Sequence, residues 1–550
     1  MLRFRVYTAA CAAIFLTALA VTVTSAQDKQ ASGAERAAQA LEHIRSEPLA
    51  LRDFLKRMPK GADLHSHLSG AVYAETHIRD AIEDGLCVDQ DAKAFAKSQP
   101  VIAGAELEPV CEEDQVPATE LPKNQPLYNS LVDSFSMRGF VPSAGVTGHD
   151  DFFDAFTKFG GTDPRQTGEW VDEVAARAAS QNIQYLELMV TPTWRRLNTI
   201  TKGMAWSEDL KSLKGELMAK GLLDDIPAAR AFLDEADALR RDREHCGTPD
   251  ESAACKVETR YLYQVFRNTP RESVLAQALF GFELASIDPR VAGINLVGSE
   301  DNYAAMADYA DHMRIFQFVR GLYPNVQVSM HAGELALGLV PPEGLCCHVR
   351  QAVEVAGTDR IGHGVDVMYE QEPESLLKDM AAKQVLVEIN LTSNEDVLGV
   401  SGKSHPFPIY RNFGVPVALS TDDEGIERID LTNEYVRAAE SHDLSYADFK
   451  QLVRNSLEYS FLPGVSLWAG PDFARLADAC GGDTAGADKP SSACETFLKG
   501  SEKAEQQWEL ERRFQVFEAG WGCGLRPQPL RRASRGCVLK AERGRQGELP

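Results

Sequence analysis

The chain is short of positive charge. Its 550 residues carry 57 Lys and Arg against 81 Asp and Glu, a formal charge of −24, which excludes a protein built to hold a phosphate backbone, since that needs clustered cations. Beyond the N-terminus no apolar run is long enough to span a membrane. No Cys-x-x-Cys pair is present, which excludes the usual cysteine zinc sites, and there is no internal repeat, low-complexity tract or obvious phosphate-binding loop. What is there, 44% hydrophobic and 25% charged residues, suits a globular protein with a substantial core and a small-molecule partner rather than nucleic acid.

The first thirty residues, MLRFRVYTAACAAIFLTALAVTVTSAQDKQ, set Arg3 and Arg5 ahead of an apolar run that ends in small residues. That order reads as a secretory signal over 1–26, cut after Ala26, leaving no stable membrane anchor; a retained anchor is the competing reading. The expected location is periplasmic or secreted. Export changes the meaning of the 11 cysteines, because disulfides persist outside the cytosol. Cys246 with Cys255, and Cys480 with Cys494, bracket short polar loops, and Cys87 with Cys111 makes a third pair. The adjacent Cys346 and Cys347 resist assignment.

Residues 27–57 read as a helical extension that either caps a barrel or mediates a homodimer. From Gly61 onward the chain alternates strand-like and helical runs. GADLHSHL is followed by IQYLELMV, VETRYLYQVFR, VAGINLVG, VQVSMHAGE, RIGHGVDV, QVLVEINLTSN and VPVALSTDDEG, which makes eight strands. The α/β alternation predicts a (β/α)8 TIM barrel over 58–520, with a helical insertion around 196–254 and an N-terminal helical extension. A doubly wound sheet shares the alternation, and sequence does not reveal closure. Residues 521–550 hold seven Lys and Arg against two Glu and read as a basic, disordered tail.

In an extended strand, His65 and His67 share a face with Ser66 turned away, so two imidazoles can grip one ion. Other strand ends add His331 and Glu334 from MHAGE, His363 from RIGHG, and Asp422 and Asp423 from LSTDDEG. Any one of these is explicable as a turn or a core histidine, but together they form a set. His65, His67, His331 and Asp422 can hold one divalent ion and leave a position for water, whose pKa falls to about 7 on zinc. Glu334 then serves as proton shuttle, His363 orients or helps deprotonate the water, and Asp423 grips substrate.

The motifs LHSHLSGA, GINLVGSE, HAGE, RIGHG, NLTSN and STDDEG, in this order and at these intervals, resemble the adenosine deaminase family of metal-dependent aminohydrolases over Met58 to Ala519. The export signal and added cysteines resemble its exported branch, the adenosine deaminase-related growth factors. The resemblance implies one Zn2+ per subunit, held by His65, His67, His331 and Asp422, and hydrolysis of adenosine or 2′-deoxyadenosine to inosine or deoxyinosine and ammonia. It implies that Glu334 protonates purine N1, that His363 stabilises and helps form the attacking hydroxide, that Asp423 accepts a hydrogen bond at the N7 side, and that the Gly298 N–H meets N3. Ser69 departs from the pattern, standing where many members have an aspartate that holds a ribose hydroxyl. Glu388 and Asn394 read as bracing the barrel.

The alternatives are a deaminase of a related purine or modified adenosine, or a nucleoside-binding or signalling protein without turnover. Two-metal amide and ester hydrolases also use His-x-His barrels, but the lysine bridge expected of them is missing.

Overall fold

The computed structural model describes residues 31–96, 111–162, 164–192 and 195–521. The expected signal, and the expected basic tail apart from Trp521, lie outside the described residues. No helix among the described residues is long and apolar enough to cross a membrane.

Two amphipathic helices precede the barrel. α1 (Gly33–Ile44) starts at Ser32, whose hydroxyl accepts the Glu35 N–H while the Glu35 carboxylate accepts the Ser32 N–H, a reciprocal cap that satisfies two otherwise orphaned donors. α2 (Pro48–Arg57) begins on proline, where the missing N–H costs nothing. Leu41, Leu51, Phe54 and Leu55 are fully buried, and Phe54 meets Phe517 edge-on with ring centroids 5.1 Å apart. The apolar faces of both helices are therefore covered within the chain. Lys60, also fully buried, donates to the carbonyls of Leu55, Met58 and Gln181, tying the end of α2 to the start of the barrel.

Eight parallel strands follow: β1 (Gly61–His67), β2 (Ile183–Val190), β3 (Glu258–Phe266), β4 (Val291–Val297), β5 (Gln327–Ala332), β6 (Arg360–His363), β7 (Leu386–Ile389) and β8 (Val417–Leu419). They pair in chain order. β2 is buried along its whole length, as a parallel strand covered on both faces must be. The seam is bridged beyond the end of β8, where the His67 N–H donates to the Asp422 carbonyl at 3.1 Å and the Asp422 N–H to the His65 carbonyl at 2.9 Å. The fold is thus the (β/α)8 barrel, joined at its seam by three residues of the candidate site.

Three strands stop earlier than the sequence suggests. His363 (φ +70°) ends β6, and beyond β8 Asp422 (φ +60°) turns the chain, a conformation no strand continues through. After β7 the NLTSN segment is helical: α5 (Leu391–Leu398) follows at once and stops at Gly399 (φ +67°), where glycine accepts the left-handed conformation freely. Its first turn is held by Glu434, which accepts the Thr392 N–H at 3.1 Å and the Thr392 hydroxyl.

Between β1 and β2 lie a small antiparallel sheet (Cys87–Asp89, Ala94–Phe95, Gln115–Pro117) and α3 (Gly148–Lys158). The described part of the proline- and acid-rich stretch 99–126, from Cys111 on, contributes one strand, a 3-10 turn and the start of a helix at Gln125. Between β2 and β3 the 196–254 segment forms helices Arg195–Thr201 and Leu210–Ala219 and then α4 (Ile226–Arg243), with Leu213, Leu217 and Leu233 buried against the barrel. α6 (Glu502–Gly520) closes the described chain.

The floor of the barrel is charged. Arg360 is almost wholly buried, donates to Glu187 Oε2 at 2.5 Å and Glu388 Oε1 at 2.6 Å, and lies 3.6 Å from the centre of the Phe461 ring.

The structure joins Cys87 to Cys111, Cys246 to Cys255 and Cys480 to Cys494, and pairs the neighbours Cys346 and Cys347, which the sequence left unassigned. Cys480 and Cys494 sit in a satellite core with Leu467 and Trp508. Replacing both by alanine is expected to cost about 3 kcal/mol, the chain-entropy value for a loop of this size. Urea unfolding of oxidised protein checks this, and an unchanged midpoint would contradict it.

Candidate active site

The site stands on the C-terminal ends of the strands, where a parallel barrel keeps its chemistry. β1 delivers His65 and His67, β5 His331, β6 His363, and the turn after β8 Asp422 and Asp423. Single ligand atoms of His65, His67, His331 and Asp422 lie within 4.8 Å of one another. The structure brings His67, His331, Asp422, Glu334, Ser69, Gly298 and Asp423 around one cavity, with His65 and His363 buried beside it. The cavity measures about 250 Å³ and is closed on one side by Phe152, Phe153 and Phe156 of α3.

Each candidate ligand is held by its outer nitrogen. His65 Nδ1 donates to Glu388 Oε2 at 2.6 Å, His67 Nδ1 to Gln264 Oε1 at 2.8 Å and His331 Nδ1 to Asn295 Oδ1 at 2.8 Å. With those nitrogens carrying hydrogen, each neutral ring turns a bare Nε2 lone pair inward. His67 Nε2 and His331 Nε2 then lie 3.1 Å apart with no hydrogen between them, and His65 Nε2 is buried with no hydrogen-bond partner. Lone pairs facing lone pairs need a cation at their centre. Without an ion the site takes up a proton in its place: burial opposes charge on His65, yet Asp422, whose Oδ1 lies 3.2 Å from Nε2, and Glu388 outweigh burial and lift the His65 pKa to about 10. A site that wants a positive charge this strongly fits a divalent ion on three imidazoles and one carboxylate.

The acids divide by environment. Burial pushes Glu334 well above the usual carboxylate range, and the Asp422 charge adds to it, the direction that a proton donor needs. Burial also works on Asp422, but the imidazoles facing it outweigh burial and hold it below the usual carboxylate range. Burial and the Asp422 charge raise Asp423 strongly. Purine N7 is itself a lone-pair acceptor, so an Asp423 that bonds it has to donate rather than accept. Burial, followed by the opposing pull of Asp422, leaves His363 neutral with a pKa of about 3. His363 Nε2 lies 3.6 Å from Asp422 Oδ2 and 3.7 Å from Glu334 Oε1.

Two residues read as braces of the barrel touch the site directly: Glu388 holds His65, and Asn394 Nδ2 lies 2.9 Å from His363 Nδ1. Reading by motif missed Glu300. Its carboxylate accepts the Gly333 N–H at 3.1 Å, the Glu334 N–H at 2.7 Å and His348 Nδ1–H at 2.7 Å, fixing the turn that carries the acid. Burial would raise it, but Arg267 and His348 hold it down to about 2. Its place at the end of GINLVGSE was the available signal. Arg267 continues the brace, donating to the carbonyls of Gly298 at 2.5 Å and His331 at 3.0 Å. The phenylalanines of α3 were visible only as a helical pattern.

Converging imidazoles, an ionised aspartate and a buried glutamate at the mouth of a parallel barrel define a metal-dependent hydrolase. Comparison with known proteins narrows the class. The family model described as adenosine deaminase matches residues 162–466. Two curated adenosine deaminases of Clostridium perfringens are 34% identical over 290 residues (strain SM101) and 26% over 292 (strain ATCC 13124), each match covering 52% of this chain and 71% of the relative. Among solved structures, a zinc-bound amidohydrolase from Burkholderia ambifaria shares the fold at a TM-score of 0.51 and 17% identity, covering 86% of this chain and 94% of that one. The chain belongs to the adenosine deaminase family and is a hydrolytic deaminase. The family match begins after His65, His67 and Ser69; the seam between β1 and β8 carries these into the site.

Proposed function

We propose that this protein is a zinc-dependent deaminase of adenosine and 2′-deoxyadenosine, releasing inosine or deoxyinosine and ammonia. The observation that carries the reading is the buried Glu334, 3.7 Å from His363 Nε2 and across from the cluster of His65, His67, His331 and Asp422, with burial and the Asp422 charge raising its pKa. Zinc suits the donor set at one ion per subunit, and when bound it supplies the Lewis acidity that brings the pKa of water to about 7. Glu334 hands its proton to purine N1 as oxygen attacks C6, so the ring takes up the developing charge. Asp423 donates to N7 and the Gly298 N–H meets N3, which together orient the base. Water enters and ammonia leaves.

Among the described residues no lysine or arginine lines the cavity, so none of them offers a phosphate a cation there. That favours a nucleoside over a nucleotide. Ser69 lines the cavity and is neutral, so a substrate whose sugar differs from ribose remains a reading within the same chemistry. The complete set of ligands together with Glu334 speaks for turnover and against a protein that only binds or signals. The N-terminal run read as a signal, and the four disulfides among the described residues, support a periplasmic or secreted enzyme of the exported branch, because such bridges persist in oxidising compartments.

Ammonia release from a panel of nucleosides and nucleotides, before and after chelation, tests the proposal. Adenosine and 2′-deoxyadenosine are expected to turn over, chelation to abolish this and zinc to restore it. Preferential turnover of AMP, or activity indifferent to chelation, would contradict it.

A further inference from the structure

His405 lies between α5 and the helix Phe407–Asn412, is 2% exposed and does not line the cavity. It nevertheless has a traceable connection to the reacting atoms. The Phe407 backbone N–H can only donate, and it lies 3.1 Å from His405 Nδ1. That nitrogen is therefore the acceptor, and the hydrogen of the neutral ring sits on Nε2. His405 Nε2 is 2.9 Å from Asn394 Oδ1, so the amide oxygen faces His405 and the amide nitrogen faces the site. Asn394 Nδ2 in turn donates to His363 Nδ1 at 2.9 Å. Side-chain amides and imidazoles usually leave such orientations open, but a chain that starts at a peptide N–H closes each choice in turn. All three side chains are buried.

We propose that His405 is a positioning residue which, through Asn394, fixes the hydrogen of His363 on Nε2. His363 then meets the attacking oxygen as a hydrogen-bond donor and takes no proton at that atom. The inference rests on the reading of His363 as facing the attacking water, and it refines it. A fixed donor aimed at the attacking oxygen favours hydroxide over water there and needs no reorganisation to do so, which is how preorganised polar groups act. Burial, reinforced by His442 and His363, depresses His405 to about 3, so the relay keeps one form across the working pH range.

Asn394→Asp tests this with almost no change in shape. A carboxylate cannot donate, so it would accept from His405 Nε2–H on one oxygen and from His363 Nδ1–H on the other, moving the His363 hydrogen to the wrong nitrogen. In the 15N-histidine-labelled, metal-loaded full chain, long-range 1H–15N spectra should show His363 protonated on Nε2 in the parent and on Nδ1 in the variant. The kcat on adenosine should fall about 10- to 100-fold, with KM held within about threefold. If that variant does not fold, His405→Phe should weaken the Nε2 preference and lower kcat, while His405→Gln, whose amide nitrogen can still donate to Asn394, should restore both. A parent protein carrying the hydrogen on His363 Nδ1, or a folded Asn394→Asp or His405→Phe with His363 and kcat unchanged, would overturn the proposal. Because the spectrum is read on resting protein, failure to deaminate adenosine would count against the proposed substrate and leave this measurement decisive on its own.

Discussion

Glu334→Gln is expected to fold, to bind metal as the parent does, and to lose about a thousandfold in kcat, within the range that general acid catalysis contributes. The amide can still donate a hydrogen bond to purine N1, but it has no proton to give up. Burial and the Asp422 charge raise the Glu334 pKa in the parent, and that sets the sign of the pH dependence. Activity requires the protonated form, so kcat should stay level below the Glu334 pKa and decline above it. The variant has no such group to titrate, and its residual rate should lack that alkaline decline. Steady-state kinetics across pH, with zinc content measured on the same samples, check both halves. A variant within tenfold of the parent, or one that keeps the same alkaline decline, would remove Glu334 from its role.

His67→Ala should cost more in metal than in fold. His67 is the candidate ligand with the greatest side-chain exposure, 13%, so its removal leaves only a modest cavity, while three donors remain where four surround the ion. The loss of affinity should exceed the roughly 10- to 100-fold that removal of an outer hydrogen-bond partner brings. Asn295→Ala, which removes only the acceptor holding His331, provides that smaller comparison. Metal retained after dialysis against graded chelator ranks the three proteins, and ammonia release should follow the same order. A His67→Ala protein that keeps a full equivalent of zinc through this treatment would show that the ion is held elsewhere.

Much of this was legible in the chain. The period-two placement of His65 and His67 and the clusters at the ends of MHAGE, RIGHG and STDDEG announced the site, because metal chemistry needs rare residue types in tight local patterns. The alternation of strands and helices announced a barrel, yet not its closure, which depends on Asp422 meeting the backbone of β1 across more than 350 positions of sequence. Helix α5 was hidden because NLTSN has weak propensity of either kind, and Glu434, far along the chain, decides it. Glu300 stood in plain view, but nothing in its flanking residues told that its partners would be the N–H groups of Gly333 and Glu334.

Arg360 opens the RIGHG motif but has no access to substrate, and it divides its charge between Glu187 and the same Glu388 that receives the hydrogen of His65. The more of the Glu388 charge the guanidinium draws off, the less electron density reaches the imidazole above. The tightness with which an ion is gripped at the open end of the barrel is therefore trimmed from beneath, by a residue at the opposite end of a four-residue strand.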